Sequence, residues 1–140
     1  MNRLIPQIEQ CLNELIAEHE QLLMLVRRKR QALANAQPEL VQDCCERENA
    51  LIQRIGEIEK RRQTAVAQLT QQTNAAATRP LALREIAESQ DEPVRGRLLV
   101  NQQRLQELMR SVHDENRVAR DATEGLLRHV QGMIRVISQA

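Results

Sequence analysis

The stretch that decides the fold runs from Pro93 to Ser138, PVRGRLLVNQQRLQELMRSVHDENRVARDATEGLLRHVQGMIRVIS. Apolar or small residues recur in it at a spacing of seven, as Leu98, Leu105, Val112, Ala119, Leu126 and Met133. A second row, Leu108, Ala122 and Val136, is joined at equivalent steps by the more polar Asn101, Glu115 and His129. Alternating steps of three and four hold side chains on one face, so the stretch predicts a single helix with a seam for other helices. At ~1.5 Å per residue it is roughly 65–70 Å long, a length that a bundle requires and a compact globule of this size does not.

The last third of that helix differs from the rest. Leu126, Leu127, Val130, Met133, Ile134 and Ile137 continue the stripe, and Gly125, His129, Gly132 and Val136 widen it. Only Arg128, Gln131, Arg135 and Ser138 remain firmly polar. The low-polarity arc is about 220°, against the roughly 100° that one buried seam requires. Two readings follow from the residues: an end that is better buried or forms a homodimer contact, or a docking face for an apolar partner helix. The candidate partner-binding residues are Leu126, Leu127, Val130, Met133, Ile134, Val136 and Ile137, with Gly132 permitting close approach.

Two more long helices precede this one. The first is predicted over about residues 4–35, where Asn2 can cap and Pro6 lies in the tolerant opening turn. Its seam reads Ile5, Ile8, Leu12, Leu15, His19, Leu22, Val26 and Leu33, interrupted by Lys29. Asn35 suits a left-handed helix end and Pro38 a helix start, and so short a connection makes the two helices antiparallel neighbours. The second, about 39–71, carries Val41, Cys44, Leu51, Ile55, Ile58, Ala65 and Leu69, with Glu48 and Arg62 at steps expected to be apolar. These two are expected at the solvated edge of the seam, the alternative being pairing with charges across the bundle.

The polar run from Thr70 to Arg79 reads as a linker. Pro80 then opens a short connector helix over about 81–88, and Asp91-Glu92-Pro93 supplies the start of the last helix, about 93–138. The expectation is one all-α domain over 1–140, an elongated antiparallel bundle of three long helices with one short connector.

Composition excludes several functions. With 20 basic and 19 acidic residues, nothing selects nucleic acid or an anionic membrane electrostatically. The chain has no Phe, Tyr or Trp, which removes the usual base-stacking residues. Arg27-Arg28-Lys29-Arg30 is the one dense basic run, but four consecutive helical positions point all round the axis, and it reads as a solvated helix end. Cys11, Cys44 and Cys45 lack metal spacing and read as small buried or half-buried residues of a reducing compartment. No apolar run approaches the ~20 residues of a membrane span, and no signal-peptide core follows Met1. A cytoplasmic, soluble protein is expected. His19, His113 and His129 are far apart and none completes a bundle metal motif, while Ser89, Ser111 and Ser138 have no evident base. No enzyme, metal or cofactor is suggested.

Glu14-Leu15 before Leu22-Leu23, Glu46-Arg47-Glu48 before Leu51-Ile52, and Ile58-Glu59 with Arg61-Arg62 resemble the first hairpin of the FlgN family. Leu83-Arg84-Glu85-Ile86 resembles its connector. Leu105 to Leu108, Asn116-Arg117 and the apolar tail from Leu126 to Ile137 resemble its final helix. His113 stands where the first of two family asparagines is expected, and the tyrosine linked to export-gate docking is absent. The resemblance implies a flagellar export chaperone. Such a protein binds C-terminal segments of the hook–filament junction (hook-associated) proteins through its own C-terminal region and delivers them to the flagellar type III export apparatus. Export-gate or export-ATPase components are further partners that it admits. The alternative is a coiled-coil adaptor or structural bundle that uses the C-terminal helix as an oligomer interface.

Overall fold

The computed structural model describes residues 3–139, Leu126 by its backbone alone. The four helices are α1 (Leu4–Ala34), α2 (Pro38–Thr73), α3 (Leu83–Glu88) and α4 (Val94–Gln139), and there is no strand among the described residues. The expected seams form the core. Ile5, Ile8, Leu12, Leu15, His19, Leu22 and Val26 of α1 are all buried, as are Cys44, Leu51, Ile58, Ala65 and Leu69 of α2. His19 is tolerated there because its Nδ1 lies 2.7 Å from the Leu15 carbonyl oxygen, one turn back.

Interhelical polar pairs define the topology. Glu14 meets Arg61, Glu18 meets Arg54 and Lys29 meets Glu48, so α1 and α2 are antiparallel. Glu9 meets Arg97, Asn13 meets Asn101 and Arg27 meets Glu115, so α1 and α4 run parallel with a nearly constant register. α1 packs against both α2 and α4, and α3 packs against α4. All three long helices contribute side chains to the core: Leu22 and Val26, Leu51, and Val112 form one cluster. A larger one joins Ile8 and Leu12 to Val66, Leu69, Ile86 and Leu98. The bundle is thus up-down-up, with α3 turning the chain at the lower end.

Several details depart from the sequence expectations. Asn2 lies outside the described residues; Arg3 precedes the first turn of α1 without a side-chain cap. At the α1–α2 turn the left-handed residue is Ala36 (φ 53°), one after Asn35. Pro38 opens α2 as expected. Thr70 belongs to α2, not to the linker: it is buried, its hydroxyl donates to the Val66 carbonyl (2.8 Å) and accepts from the Leu81 amide (2.9 Å). One side chain thereby ties the end of the linker to α2. At the start of α4 the Glu92 carboxylate accepts from the Gly96 amide at 3.1 Å. A Cβ at Gly96 would come within 2.8 Å of that carboxylate, so glycine leaves room for the cap.

Glu48 corrects a second expectation. It is buried, not at the solvated edge, and pairs across the bundle with Lys29 at 3.0 Å. The same ammonium donates to Asn116 Oδ1 of α4 at 3.3 Å, so one lysine links all three long helices. The charge is tolerated at low exposure because donor and acceptor arrive together from different helices. Arg62 instead pairs with Glu59 on its own helix. The basic run is likewise more than a solvated helix end, since Arg27 and Arg30 both reach Glu115, at 3.6 and 2.8 Å.

Candidate functional site

Helix length and register together create the candidate site. α1 has 31 residues, α2 has 36 and α4 has 46. The parallel register of α1 with α4, read from Glu9 with Arg97 and Asn13 with Asn101, puts the end of α1 level with the neighbourhood of Ala122. α4 therefore continues past the α1–α2 turn by roughly 17 residues, or about 25 Å. Along the shared length its seam is covered, with Leu98, Leu108, Val112 and Ala119 buried. Beyond it the apolar residues are bare: Leu127 is 55% exposed, Val130 42%, Met133 52%, Ile134 58%, Val136 68% and Ile137 71%.

All the candidate residues except Leu126, whose side chain lies outside those described, thus fall on one uncovered helix segment. Of the readings left open for this end, burial of Met133 and Val136 within the chain's own bundle is not what is seen, because neither α1 nor α2 reaches that level. His129, Gly132, Met133, Val136 and Ile137 line a shallow apolar recess on the overhang. A Cβ at Gly132 would meet no neighbour within the chain. This glycine's smallness is therefore not required by the chain's own packing there. So much bare aliphatic surface on one turn-after-turn stripe is the pattern of an interaction site.

Elsewhere the chemistry is structural. Among the described residues no group of three or more His, Cys, Asp or Glu is placed to hold a metal ion. Cys11 and Cys44 are buried and Cys45 half-buried, all free thiols. Desolvation pushes the Cys11 and Cys44 thiols above their ordinary value, with Arg61 and Arg28 respectively acting in the opposite sense. Neither is an activated nucleophile. No helix of the described residues is long and apolar enough to cross a membrane.

The sequence profile of the FlgN family, described as FlgN protein, matches residues 1–140, the whole chain. The chain belongs to the FlgN family. Comparison with curated proteins and with solved structures gives no match. FlgN membership supports a role as a flagellar export chaperone, and the family is one of chaperones rather than enzymes. In this FlgN protein the candidate residues whose side chains are described, Leu127, Val130, Met133, Ile134, Val136 and Ile137, are all exposed. What periodicity alone missed is the Lys29–Glu48–Asn116 link just below the overhang. Its signal in the sequence was the pair of mismatched heptad steps, Lys29 on α1 and Glu48 on α2.

Proposed function

We propose that this protein is a cytoplasmic export chaperone that captures C-terminal segments of the hook–filament junction proteins on the overhanging end of α4 and delivers them to the flagellar type III export apparatus. Family membership supplies the flagellar chaperone role; the naked apolar overhang carries the assignment of the site. The mechanism is coupled folding and binding. A disordered amphipathic segment orders against Leu127, Val130, Met133, Ile134 and Ile137, and the entropy lost in ordering keeps affinity low enough for later release. Capture would also cover apolar surface that promotes premature association of the cargo. The chain's lack of tyrosine separates this role from any docking at the export gate through an aromatic residue.

The decisive experiment is the double substitution Met133→Asp with Ile137→Asp, read by calorimetric binding to the C-terminal segment of a hook-associated protein and by circular dichroism. Burying each such side chain is worth ~1.5–3 kcal/mol, so affinity should fall by roughly two orders of magnitude or more. The helical signal and the monodispersity of the bundle should be unchanged. Melting or aggregation of the variant would return these residues to the core, and undiminished binding would move the site elsewhere.

A further inference from the structure

We infer that the outer groove between α1 and α2, around Met24 and Ala50, is a docking surface for an acidic amphipathic helix of a partner protein. No residue of α4 lines this groove, so the contact is separate from cargo capture on the overhang.

The basic run late in α1 is only partly used by the bundle. Arg27 and Arg30 meet Glu115, and Lys29 meets Glu48. Arg28 is exposed and makes neither an ion pair nor a hydrogen bond among the described residues. It lines the groove together with Met24 and Leu25 of its own helix. The facing wall is Arg47, Ala50, Leu51 and Arg54 of α2, and no carboxylate belongs to the lining. Arg47 Nε lies 3.2 Å from Asp43, and Arg54 Nε 3.7 Å from Glu18. Both side chains are more than half exposed and neither donates a hydrogen bond among the described residues. Three guanidinium groups, each with five N–H donors, therefore stand round one groove with their hydrogen-bonding capacity unspent.

The spacing of these groups selects the occupant. The antiparallel register that pairs Lys29 with Glu48 brings Arg28 close to the level of Arg47. Arg54 follows about two turns, or roughly 10.5 Å, further along α2. Between those levels lie Met24, 65% exposed, and the exposed Ala50, above the half-buried Leu25 and the buried Leu51. A helix laid along the groove thus meets cations, then an aliphatic floor, then a cation. Its complement carries carboxylates two turns apart on one face with a leucine or methionine between them. Phosphate backbones are a poorer match, because the centre of the groove is aliphatic and the chain has no aromatic side chain on which a base could stack.

The probe is an end-capped helical peptide of about 18 residues, with glutamates two turns apart on one face and leucine between them. It is titrated into the full-length chain beside a twin that bears lysine in place of glutamate. The glutamate peptide should bind at least ~10-fold more tightly than its twin and lose affinity as salt is raised. Arg28→Gln with Arg47→Gln should weaken it by ~10-fold, and Met24→Asp by a similar factor. Arg28→Glu with Arg47→Glu should transfer the preference to the lysine twin. The three substituted side chains are exposed, so the helical signal should not move. Absence of binding, equal binding of both peptides, or indifference to the Arg28 and Arg47 changes overturns the proposal. Loss of binding on Met133→Asp with Ile137→Asp moves the peptide to the overhang and overturns it too, while cargo capture stands. Duplex DNA that binds more tightly than the peptide and ignores Met24→Asp assigns the arginines to nucleic acid. Dimerisation of the free chain that Arg28→Gln with Arg47→Gln abolishes assigns them to a second copy. Either of these results overturns the acidic helix as occupant.

Discussion

The two halves of α4 use the same seam for opposite ends. From Leu98 to Ala119 the stripe is broken by polar residues, Asn101, Glu115 and Asn116, yet it is covered, because each has a partner on the hairpin. From Leu127 to Ile137 the stripe is more apolar and yet bare. Hydrophobicity therefore does not predict burial along this helix; the presence of a neighbour does. The less apolar half holds the fold together, and the more apolar half is left without a neighbour of its own chain, the surface on which the chaperone proposal places the cargo.

Aspartate substitutions in the two halves should separate most widely. Leu108 is fully buried, so Leu108→Asp places an unpaired carboxylate in the core and should cost about 4 kcal/mol or more. Met133→Asp with Ile137→Asp should shift stability by less than about 0.5 kcal/mol in the same urea titration. Comparable losses from both would erase the distinction between the halves.

The boundary between the halves gives the next largest effect. Glu48→Ala would strand the Lys29 ammonium among three helices and should destabilise by roughly 3 kcal/mol, whereas Glu48→Leu with Lys29→Met should recover most of the loss. A double variant as unstable as the single one would show that the pair matters for something beyond charge compensation.

The smallest expected effect lies far from the overhang, on α2. Hydrogen bonds from Arg62 hold the Glu59 carboxyl below its ordinary value of 4.5, against an opposing desolvation. A carboxylate depressed on folding stabilises the native state above pH 4.5, and that contribution is lost as pH falls through the lower folded value. Glu59→Gln should therefore flatten the acid limb of the stability curve below about pH 4.5, by a few tenths of a kcal/mol for so solvent-screened a pair. Tail binding measured at neutral pH should not change.

Much of the fold was legible in the residues because helix periodicity and helix starts are local properties. The seam of α1 is buried from Ile5 to Val26 as its spacing implied, and Pro38 opens α2 where the short connection required. The same local reasoning marked the tail as over-wide in its apolar arc. It could not place Thr70, whose hydroxyl serves a loop residue eleven positions away. Nor could it place Glu48, whose tolerance depends on a lysine arriving from another helix.

The sequence by itself determined where the helices lie and which face of each is apolar, since both follow from side chains three and four positions apart. Only the tertiary structure decided which of those faces is covered. That outcome depends on the parallel register of α1 with α4, held by Arg97 to Glu9 at one end and by Glu115 and Asn116 to Arg27, Arg30 and Lys29 at the other. Such pairs join residues almost ninety positions apart, so no local pattern contains them. They end the hairpin's cover near Ala122 and leave the last turns of α4 without a neighbour of their own chain.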